Sequence, residues 1–581
     1  MVNINGLVTS IVDSIGGQFL HLSTAETIIL DIGLILILST FLAFFAKIFK
    51  QPLIPAYVIT GLIIGPLVLG YIKNTELITA FSEIGIAFLL FTAGLEISFR
   101  KIREANLKKI LIIGIAQVLI IFSIAFFLAG FLGLSNLQAA YIGVILAFGS
   151  TMVDIKLLSD RGELVTLHGR LVLGILLLQD LIAIIAIVVF KTGGFEIVAL
   201  TIAFSKLLLI LAVALILQKF VLNKIFKFAA RSSELLFLAS LAVLFMFIIL
   251  SYLAELSIVI GAFIAGVSLA NSRFKIELES RVTPLRDFFA ILFFVALGTQ
   301  IVFEGIGDNL RLLSALIIIG IIIKPLFTFI LMRIGGYRPK TSFFTAISLA
   351  QLSEFSLIIG ILGVSLGVLD AAMFSTIILA TIITMSLTPY FIEFKENLYK
   401  FVMLPLSLFR FLPISERLEY KNDGEKEILL IGAHRMGSIL LKDLVKDKKK
   451  LLVIDYNPEI INVLMKHKIS CIYGDIVSPE ILSKVNSKRL KLVVSTVPDY
   501  NDNLHLLNII KRTSPKTKVI VTGGRISETI RLYENGADYV ITPKILAGEK
   551  ISAILKNHKL DLKRAKRDHI RKLRNIHKVL Y

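Results

Sequence analysis

Gln179 and Asp180 lie in the middle of an unbroken apolar segment, GILLLQDLIAI. A charged side chain at the centre of a membrane helix costs about 2.5–3.5 kcal/mol on insertion scales. A carboxylate at that depth holds either a proton or a desolvated cation, and competition of two ions for one site is sufficient for exchange. The pair therefore predicts an ion-binding and proton-exchanging site at Asp180, with Gln179 donating to it or ligating the cation. A structural aspartate paired with a neighbouring helix is the alternative.

Lys324, in the apolar run IIIGIIIKPLFTFIL, is a second ionisable group at membrane depth. Pro325 follows it and should bend that helix. We expect the ammonium to pair with Asp180 or with Glu354, snorkelling to the interface being the alternative. Asp154 and Glu354 are secondary candidates, because each lies in or just past an interrupted apolar run and could face the cytosol.

These residues belong to a chain of 581 residues with 56% apolar residues and a mean hydropathy of +0.84, which excludes an ordinary soluble protein. Roughly the first 400 residues are apolar runs of about 20 residues, the length that an α-helix needs to cross a bilayer. A polytopic α-helical membrane protein is therefore predicted, preceded by a surface segment, 1–25, that lacks the basic start of a signal peptide. About thirteen spans are expected, at 26–49, 52–72, 78–99, 107–134, 137–159, 167–191, 196–218, 232–251, 255–273, 282–303, 308–334, 341–366 and 369–399.

Basic residues fall almost entirely in alternate loops between these spans. One set of loops carries about twenty-one Lys or Arg residues and the opposite set about two, Lys73 and Lys191. The positive-inside rule then places the N-terminus outside the cell membrane and the C-terminal part in the cytoplasm. These loops and the basic end of the chain carry most of the excess behind the net charge of +20, so no nucleic-acid partner is predicted.

The membrane part contains an internal repeat. FLLFTAGLEI (88–97) is similar to LFFVALGTQI (292–301), and YVITGLIIGP (57–66) is similar to IVIGAFIAGV (258–267). The offset of about 201–204 residues corresponds to seven spans. Because seven is odd, the two copies run in opposite directions, which predicts the inverted repeat of secondary transporters.

The same offset aligns two interrupted apolar runs, AFGSTMVD (147–154) and AQLSEFSL (350–357). Paired interrupted helices in corresponding positions indicate a midplane ion site, since unwound backbone and half-helix ends can ligate ions. Tight helix packing by Ser and Thr is the alternative. The predicted ion-site residues beside Asp180, Gln179 and Lys324 are Ser150, Thr151, Ser353 and Glu354.

Several of these segments resemble one family. LLSDRGELVTLHGRLVLGILLLQDLIAI resembles the Kef-type branch of the monovalent cation:proton antiporter-2 (CPA2) family, and VTPLRDFFAILFFVALGTQI, GAFIAGVSLANS and AQLSEFSLIIG are similar to it as well. The resemblance implies that Asp180 binds K⁺ or Na⁺ and exchanges protons, that Gln179 and Lys324 occupy partner positions, and that the chain forms a homodimer. One departure is QLSEF, where members often have QGGEF, so Leu352 and Ser353 replace two glycines.

From residue 427 the pattern changes to strands that alternate with amphipathic helices. EILLIG, LLVIDYN, CIYGD, LKLVVSTV, KVIVTGG and DYVIT predict a doubly wound, Rossmann-like α/β domain. GAHRMGS follows the first strand and opens a helix, and Asp455 ends the second strand, which is the context of a dinucleotide fingerprint. The predicted nucleotide contacts are Gly432, His434, Arg435, Met436, Gly437, Asp455, Gly474 and Asp475.

His434 stands where a second glycine would let the backbone approach a pyrophosphate, so a mononucleotide could fit better, or the site could be degenerate. The domain resembles the Trk-N, or RCK, regulatory domain found behind Kef-type antiporters and many potassium channels. That resemblance implies a regulatory nucleotide, AMP or NAD(H), near YGD (473–475). An empty domain that serves only dimerisation is the alternative. We find no catalytic acid–base set and expect neither enzyme activity nor a catalytic cofactor.

The sequence thus predicts a K⁺ (before Na⁺)/proton antiporter that works by alternating access and is regulated by a nucleotide. A nucleotide-gated potassium channel is disfavoured because no TVGYG-like filter occurs. An inactive core acting as a nucleotide sensor is disfavoured by the intact Gln179–Asp180 pair. The basic end of the chain could contact anionic lipid or be a solvated helix. The predicted divisions are the surface segment 1–25, the antiporter domain 26–400, a linker 401–426, the Trk-N domain 427–556 and the basic tail 557–581.

Overall fold

Apolar helices make up the first part of the chain and a single β-sheet organises the second, as seen in a computed structural model. The chain divides into two units, one of residues up to 164 and 168–413, and one of residues 165–167 together with those from 414 onward. The predicted surface segment up to residue 23, most of the predicted linker and the basic tail from residue 559 lie outside the described residues. The structure describes residues 24–71, 75–96, 107–192, 197–270, 272–302, 304–305, 307, 309–402, 419–420, 425–433, 435–444, 450–474, 481, 485 and 489–558.

Nine helices among the described residues are long and apolar enough to cross a membrane, and four shorter apolar helices accompany them. Each predicted span overlaps a helix or a pair of half-helices, although the count of thirteen crossings stays a prediction. In chain order the first helices are α1 (Thr24–Ile48), α2 (Leu53–Ile64), α3 (Thr75–Glu96), α4 (Leu107–Phe131), α5 (Asn136–Ala147), α6 (Thr151–Asp160), α7 (Leu167–Lys191), α8 (Ile197–Leu217) and α9 (Asn223–Ala229). They continue with α10 (Ser233–Leu253), α11 (Ile258–Leu269), α12 (Lys275–Thr299), α13 (Leu310–Ile318), α14 (Lys324–Ile334), α15 (Pro339–Ser348), α16 (Glu354–Ser365), α17 (Ala371–Glu393) and α18 (Lys395–Val402).

Two helices are broken where the sequence predicts it. Extended residues separate α5 from α6, and Ser150 caps the start of α6. The chain likewise opens between α15 and α16, where Ser353 caps the second half. The two capping serines are 203 positions apart in the chain, the offset of the internal repeat. Serine is favoured at both positions because its side-chain oxygen accepts from a backbone N–H that the helix leaves unpaired.

A π-turn at Ile319–Ile323 joins α13 to α14 immediately before Lys324. Pro325 has no N–H to donate to the preceding turn, so the hydrogen-bond ladder opens there. A π-turn is a common cause of a helix kink, and this one lies where the sequence predicts a bend.

Glycines bring the two copies of the repeat into backbone contact. Gly61 of α2 faces Gly298 of α12, and Gly266 of α11 faces Gly94 of α3. A Cβ added to Gly298 would lie 2.0 Å from a backbone oxygen of α2, and one added to Gly266 would lie 2.1 Å from a backbone oxygen of α3. Small residues allow such close approach of helices in membranes. Each copy therefore packs one helix against the partner copy in the same way.

The second unit contains β1 (Glu419–Tyr420), β2 (Ile428–Ile431), β3 (Leu451–Asp455), β4 (Cys471–Tyr473), β5 (Leu492–Ser495), β6 (Lys518–Thr522) and β7 (Tyr539–Ile541). The sheet order is β1-β4-β3-β2-β5-β6-β7, and β2 to β7 are parallel, which is the doubly wound order. Its helices are α19 (Arg435–Leu444), α20 (Pro458–Lys466), α21 (Tyr500–Thr513), α22 (Ile526–Glu534) and α23 (Pro543–His558).

All six predicted strands are present, and the sheet has one further strand. The two residues of β1 pair antiparallel with β4 at the edge, so the sheet is mixed and not wholly parallel. Two residues are too few to produce a hydrophobic pattern. Within the sheet, Leu429 and Ile431 face one buried cluster and Leu430 the other, as expected for a strand covered on both faces. Cys471 is fully buried in β4, and burial raises the pKa of its thiol to about 11.

Replacing Gly298 or Gly266 with alanine should destabilise the membrane unit, because the added Cβ meets a backbone oxygen that cannot move independently. Overpacking of this kind costs about 1–3 kcal/mol. We therefore expect the melting temperature of the detergent-solubilised chain to fall by several degrees, measured as the monodisperse fraction left after heating. Gly33→Ala in α1 is the matched control, since nothing lies within 4 Å of its added Cβ. Equal behaviour of the test and control variants would contradict the close-packing account.

Candidate functional site

Asp180 lies beside the first helix break. Its side chain is buried, and the hydroxyl of Thr151 donates to its two carboxylate oxygens at 3.2 and 3.1 Å. Thr151 is the first residue of α6, so the carboxylate faces the positive end of a half-helix dipole. The structure thus brings together two of the predicted site residues at membrane depth.

Gln179 braces the break. Its Oε1 accepts from the backbone N–H of Gly149 at 2.8 Å, and its Nε2 donates to Gln117 Oε1 at 2.6 Å. Gln117 in turn donates to the carbonyl of Ala147 at the end of α5, at 3.3 Å. Both amide atoms of Gln179 are therefore engaged with the opened backbone and with Gln117. Sequence reasoning missed Gln117, whose signal is a lone amide in the apolar run of α4.

Lys324 lies between the two breaks. It is fully buried, and its Nζ donates to the carbonyl of Phe148 at 2.5 Å and to that of Gln351 at 2.8 Å. These carbonyls lie at the negative ends of the first half-helices, α5 and α15. In the described part of the chain its hydrogen bonds go to these backbone oxygens, whereas the sequence predicted pairing with Asp180 or Glu354.

Two further carboxylates lie in the first turns of the second half-helices, α6 and α16. Asp154 and Glu354 are both buried, so neither faces the cytosol as the sequence allowed. Gln351 donates through Nε2 to Asp154 Oδ1 at 3.0 Å and to the carbonyl of Ser150 at 3.3 Å. Glu354 Oε1 accepts from the backbone N–H of Met152 at 3.5 Å. Side chains of each broken helix thus bond to the backbone or side chains of the other.

The capping serines stabilise the place where the two broken helices meet, which we call the crossing. Ser150 Oγ accepts from the backbone N–H of the third residue of α6 at 3.3 Å. Ser353 caps α16, and the backbone N–H of Ser353 donates to Ser356 Oγ at 3.2 Å. Ser356 also donates to the carbonyl of Ile145 in α5 at 2.6 Å. The predicted serines therefore act first as caps of the two breaks.

Leu352, at a position where family members often have glycine, packs against a glycine of another helix. Leu352 is fully buried, and its backbone N–H donates to Thr384 Oγ1 at 3.2 Å. Its side chain packs against Gly320 in the π-turn, where an added Cβ would lie 3.0 Å from Leu352 Cδ1. The larger residue at the break is thus accommodated by a glycine on the helix that carries Lys324.

A further charged cluster lies beyond the end of α6. Glu163 accepts from His168 at 2.9 Å and forms an ion pair with Lys395, whose ammonium lies 4.7 Å from the centroid of the Phe344 ring. Burial raises the pKa of Glu163, but the hydrogen bonds and charges of His168 and Lys395 outweigh it and lower that pKa to about 2. The cluster ties α18 to the start of α7 and to α15, and no sequence pattern pointed to it.

In the α/β unit, the turn after β2 has the geometry of a phosphate-binding loop. Gly432 has φ +78°, and a Cβ on Gly437 would lie 1.8 Å from the carbonyl oxygen of Gly432. Asp455 accepts from the backbone N–H of Ala433 and from that of Asn457, each at 2.7 Å. The acidic residue at the end of β3 therefore supports the glycine turn from below.

The remaining predicted nucleotide contacts are only partly described. Met436 is half-buried in the first turn of α19, and Gly474 directly follows β4, its backbone N–H donating to the carbonyl of Asp455 at 3.1 Å. Arg435 is the first residue of α19. His434 and Asp475 lie outside the described residues.

The chain is similar to known transporters over most of its length. Residues 33–394 match the family "Sodium/hydrogen exchanger, transmembrane", and residues 428–543 match the "TrkA-N domain". The glutathione-regulated potassium-efflux system proteins KefC of Salmonella arizonae and Salmonella typhi are each 28% identical over 491 residues, which are 83% of this chain and 77% of theirs. The sodium proton antiporter MjNhaP1 of Methanocaldococcus jannaschii has a similar fold, with a TM-score of 0.51 and 19% identity over 64% of this chain and 97% of that one.

These similarities confirm the predicted resemblance to Kef-type antiporters and the predicted fold class, an α-helical membrane protein followed by a Rossmann-like TrkA-N domain. The relatives are transporters, so the expectation that the chain is not an enzyme is confirmed as well. The likeness to MjNhaP1 bears on the fold alone.

Removing the ammonium of Lys324 should destabilise the crossing. Lys324→Met leaves the carbonyls of Phe148 and Gln351 without that donor, at about 1–3 kcal/mol for each buried oxygen. We expect a clearly lower melting temperature of the solubilised chain. The control is Lys206→Met, because Lys206 pairs with the exposed Glu255 at 2.6 Å and such surface pairs contribute about 0–1 kcal/mol. A Lys324→Met chain as stable as the control would show that the two carbonyls do not depend on this ammonium.

Proposed function

Since the chain belongs to the family of transmembrane sodium/hydrogen exchangers, it is a cation/proton antiporter, and we propose that it exchanges K⁺, in preference to Na⁺, for protons at Asp180. The observation that carries this proposal is the position of Asp180. Its buried carboxylate accepts from the hydroxyl of Thr151, the first residue of the half-helix α6. A carboxylate in such surroundings is neutralised by one positive ion at a time, so cation and proton displace each other.

We propose that the cation at Asp180 is ligated by its carboxylate and by the hydroxyl of Thr151. Hard oxygen ligands of this kind suit alkali cations. Gln179 and Lys324 hold the geometry, Gln179 by fixing the first break and Lys324 by joining the two breaks. The side chains of Ser150 and Ser353 cap α6 and α16, whose positive ends lie at the crossing.

The transport cycle is proposed to be alternating access in the cell membrane. The inverted repeat supports it, because the two copies can exchange conformations about the fixed site. The loop charges support an N-terminus outside and a cytoplasmic α/β unit. We also propose that the chain forms a homodimer through its membrane domain. The proposed divisions of the chain are 1–25, 26–400, 401–426, 427–556 and 557–581.

The preference for K⁺ is supported by the KefC relatives, which are potassium-efflux proteins by name. Regulation by a nucleotide, AMP or NAD(H), is supported by the match of residues 428–543 to the TrkA-N domain and by the turn at Gly432. The close contact of Gly437 with that turn brings the positive end of α19 to the place where a phosphate would bind.

Asp180→Asn should abolish exchange, because the amide retains the volume of the side chain but cannot be neutralised by either ion. In proteoliposomes with an internal pH-sensitive dye, we expect a K⁺ gradient to drive a pH change with the unchanged chain. The Asp180→Asn rate should fall to that of protein-free liposomes. Running the assay with Na⁺ measures the preference for K⁺ directly.

The matched control for this assay is Asp370→Asn. Asp370 is the N-cap of α17, and asparagine caps a helix as well as aspartate does, so exchange should be unchanged. Exchange by Asp180→Asn at the rate of this control would refute the mechanism. An unchanged chain that does not exchange at all would instead favour the inactive-sensor alternative.

Gly437→Ala should weaken nucleotide binding, because its Cβ meets the carbonyl oxygen of Gly432 and displaces α19 from the turn. We expect isothermal titration of the full-length chain with AMP and with NADH to show binding of at least one, reduced about tenfold or more, or about 1.4 kcal/mol, in the variant. Gly548→Ala in α23 is the control, since nothing lies within 4 Å of the added Cβ. The proposed regulation would be refuted if neither ligand binds, or if the ligand that binds leaves the exchange rate unchanged.

A further inference from the structure

Three buried oxygen atoms at the crossing of the broken helices have no hydrogen-bond partner among the described residues. They are Asp154 Oδ2, Gln351 Oε1 and Glu354 Oε2. All three side chains are buried, Asp154 and Gln351 completely. Buried polar groups are nearly always paired, so three unpaired acceptors at one place indicate a missing partner, either a hydrogen-bond donor or a cation.

Hydrogen bonds hold the three side chains in one place. Gln351 Nε2 faces two acceptors, Asp154 Oδ1 at 3.0 Å and the carbonyl of Ser150 at 3.3 Å. This pairing fixes which end of the amide is nitrogen, because only the NH₂ group can donate. Glu354 is near enough for its charge to act on Asp154, and the Ser150 hydroxyl lies beside the Glu354 carboxyl. Gln351 Oε1, Asp154 Oδ2 and Glu354 Oε2 thus remain available to a ligand.

The formal charges at the crossing do not balance. Asp154, Asp180 and Glu354 are three buried carboxylates, and among the described residues Lys324 is the one buried ammonium that bonds to both breaks. The half-helix ends contribute little, because two positive ends and two negative ends meet there. With one exchanged ion at Asp180, one further positive charge is required, since an uncompensated buried charge is strongly unfavourable.

We propose that Asp154, Gln351 and Glu354 form a second cation site, which binds a monovalent alkali cation beside the exchange site at Asp180. A single proton between the two carboxylates would satisfy Asp154 Oδ2 and Glu354 Oε2 but leave Gln351 Oε1 unpaired. A bound cation would engage all three oxygens, and carboxylate and carbonyl oxygens are the ligands that hard cations take, K⁺ among them. This inference rests on the proposed function, because the charge count assigns the exchanged ion to Asp180.

The test is the number of cations bound per chain, measured by scintillation proximity with ⁸⁶Rb⁺ and, in parallel, with ²²Na⁺ on the purified full-length chain. We expect two cations per unchanged chain at saturation and one in Asp154→Asn. Asparagine preserves the size of the side chain and still accepts from Gln351. Glu354→Gln should lose the same site, and Asp370→Asn, with the same change at an exposed helix cap, should retain both. Elution as a monodisperse species shows that each variant is folded.

The two proposals fail in different ways. Unchanged stoichiometry in folded Asp154→Asn and Glu354→Gln overturns the second site, and so does a single cation per unchanged chain, which means that a proton supplies the missing charge. Loss of one cation in Asp154→Asn but none in Asp180→Asn retains the second site and overturns cation binding at Asp180. Absence of both isotopes overturns both.

Discussion

The crossing of two broken helices depends on the ammonium of Lys324. Opening a helix inside a membrane leaves backbone carbonyls without partners, which is costly where water is absent. Lys324 bonds one such carbonyl from each break, Phe148 and Gln351, so a single buried charge stabilises both openings. Without it, the negative ends of α5 and α15 would face each other at close range. The positive ends of α6 and α16 are then left for carboxylates, and this separation of charges makes an anionic ion site possible at mid-membrane.

The helices around the crossing are closely packed for a different reason. In α2, α3, α11 and α12, glycines allow backbones of the two repeat copies to touch, with Gly61 on Gly298 and Gly94 on Gly266. Lipid provides no hydrophobic force between helices, so close van der Waals packing must supply the stability. The same pairing occurs in both copies because the repeat is inverted. In the proposed transport cycle, the broken helices can therefore move while the close contacts among α2, α3, α11 and α12 are kept.

Much of this organisation could be predicted from the sequence, since it follows from composition and repetition. Hydropathy marks the helices, the offset between Ser150 and Ser353 marks the two breaks, and strands such as β3 are apolar throughout. Asp180 stands out because a carboxylate in an apolar run is rare. The partners of these residues could not be predicted. That Gln179 bonds to Gln117, and Lys324 to backbone oxygens, depends on how distant helices cross, and neither spacing nor residue type encodes a contact between α4 and α7. The edge strand β1 is too short to carry any pattern.

The first turn of α6 connects the exchange site at Asp180 with the proposed second cation site at Asp154, Gln351 and Glu354. It carries both Thr151, whose hydroxyl bonds Asp180, and Asp154, which bonds Gln351 at the other break. A positive ion at either site weakens the negative potential at the other, because both sites are buried and charges interact more strongly in a low-dielectric interior. In the proposed exchange, the ion at Asp180 therefore binds more weakly when the Asp154 group is occupied than when it is empty. Occupancy beside Asp154 then sets the affinity of the exchange site, and with it the ease with which a proton displaces the cation.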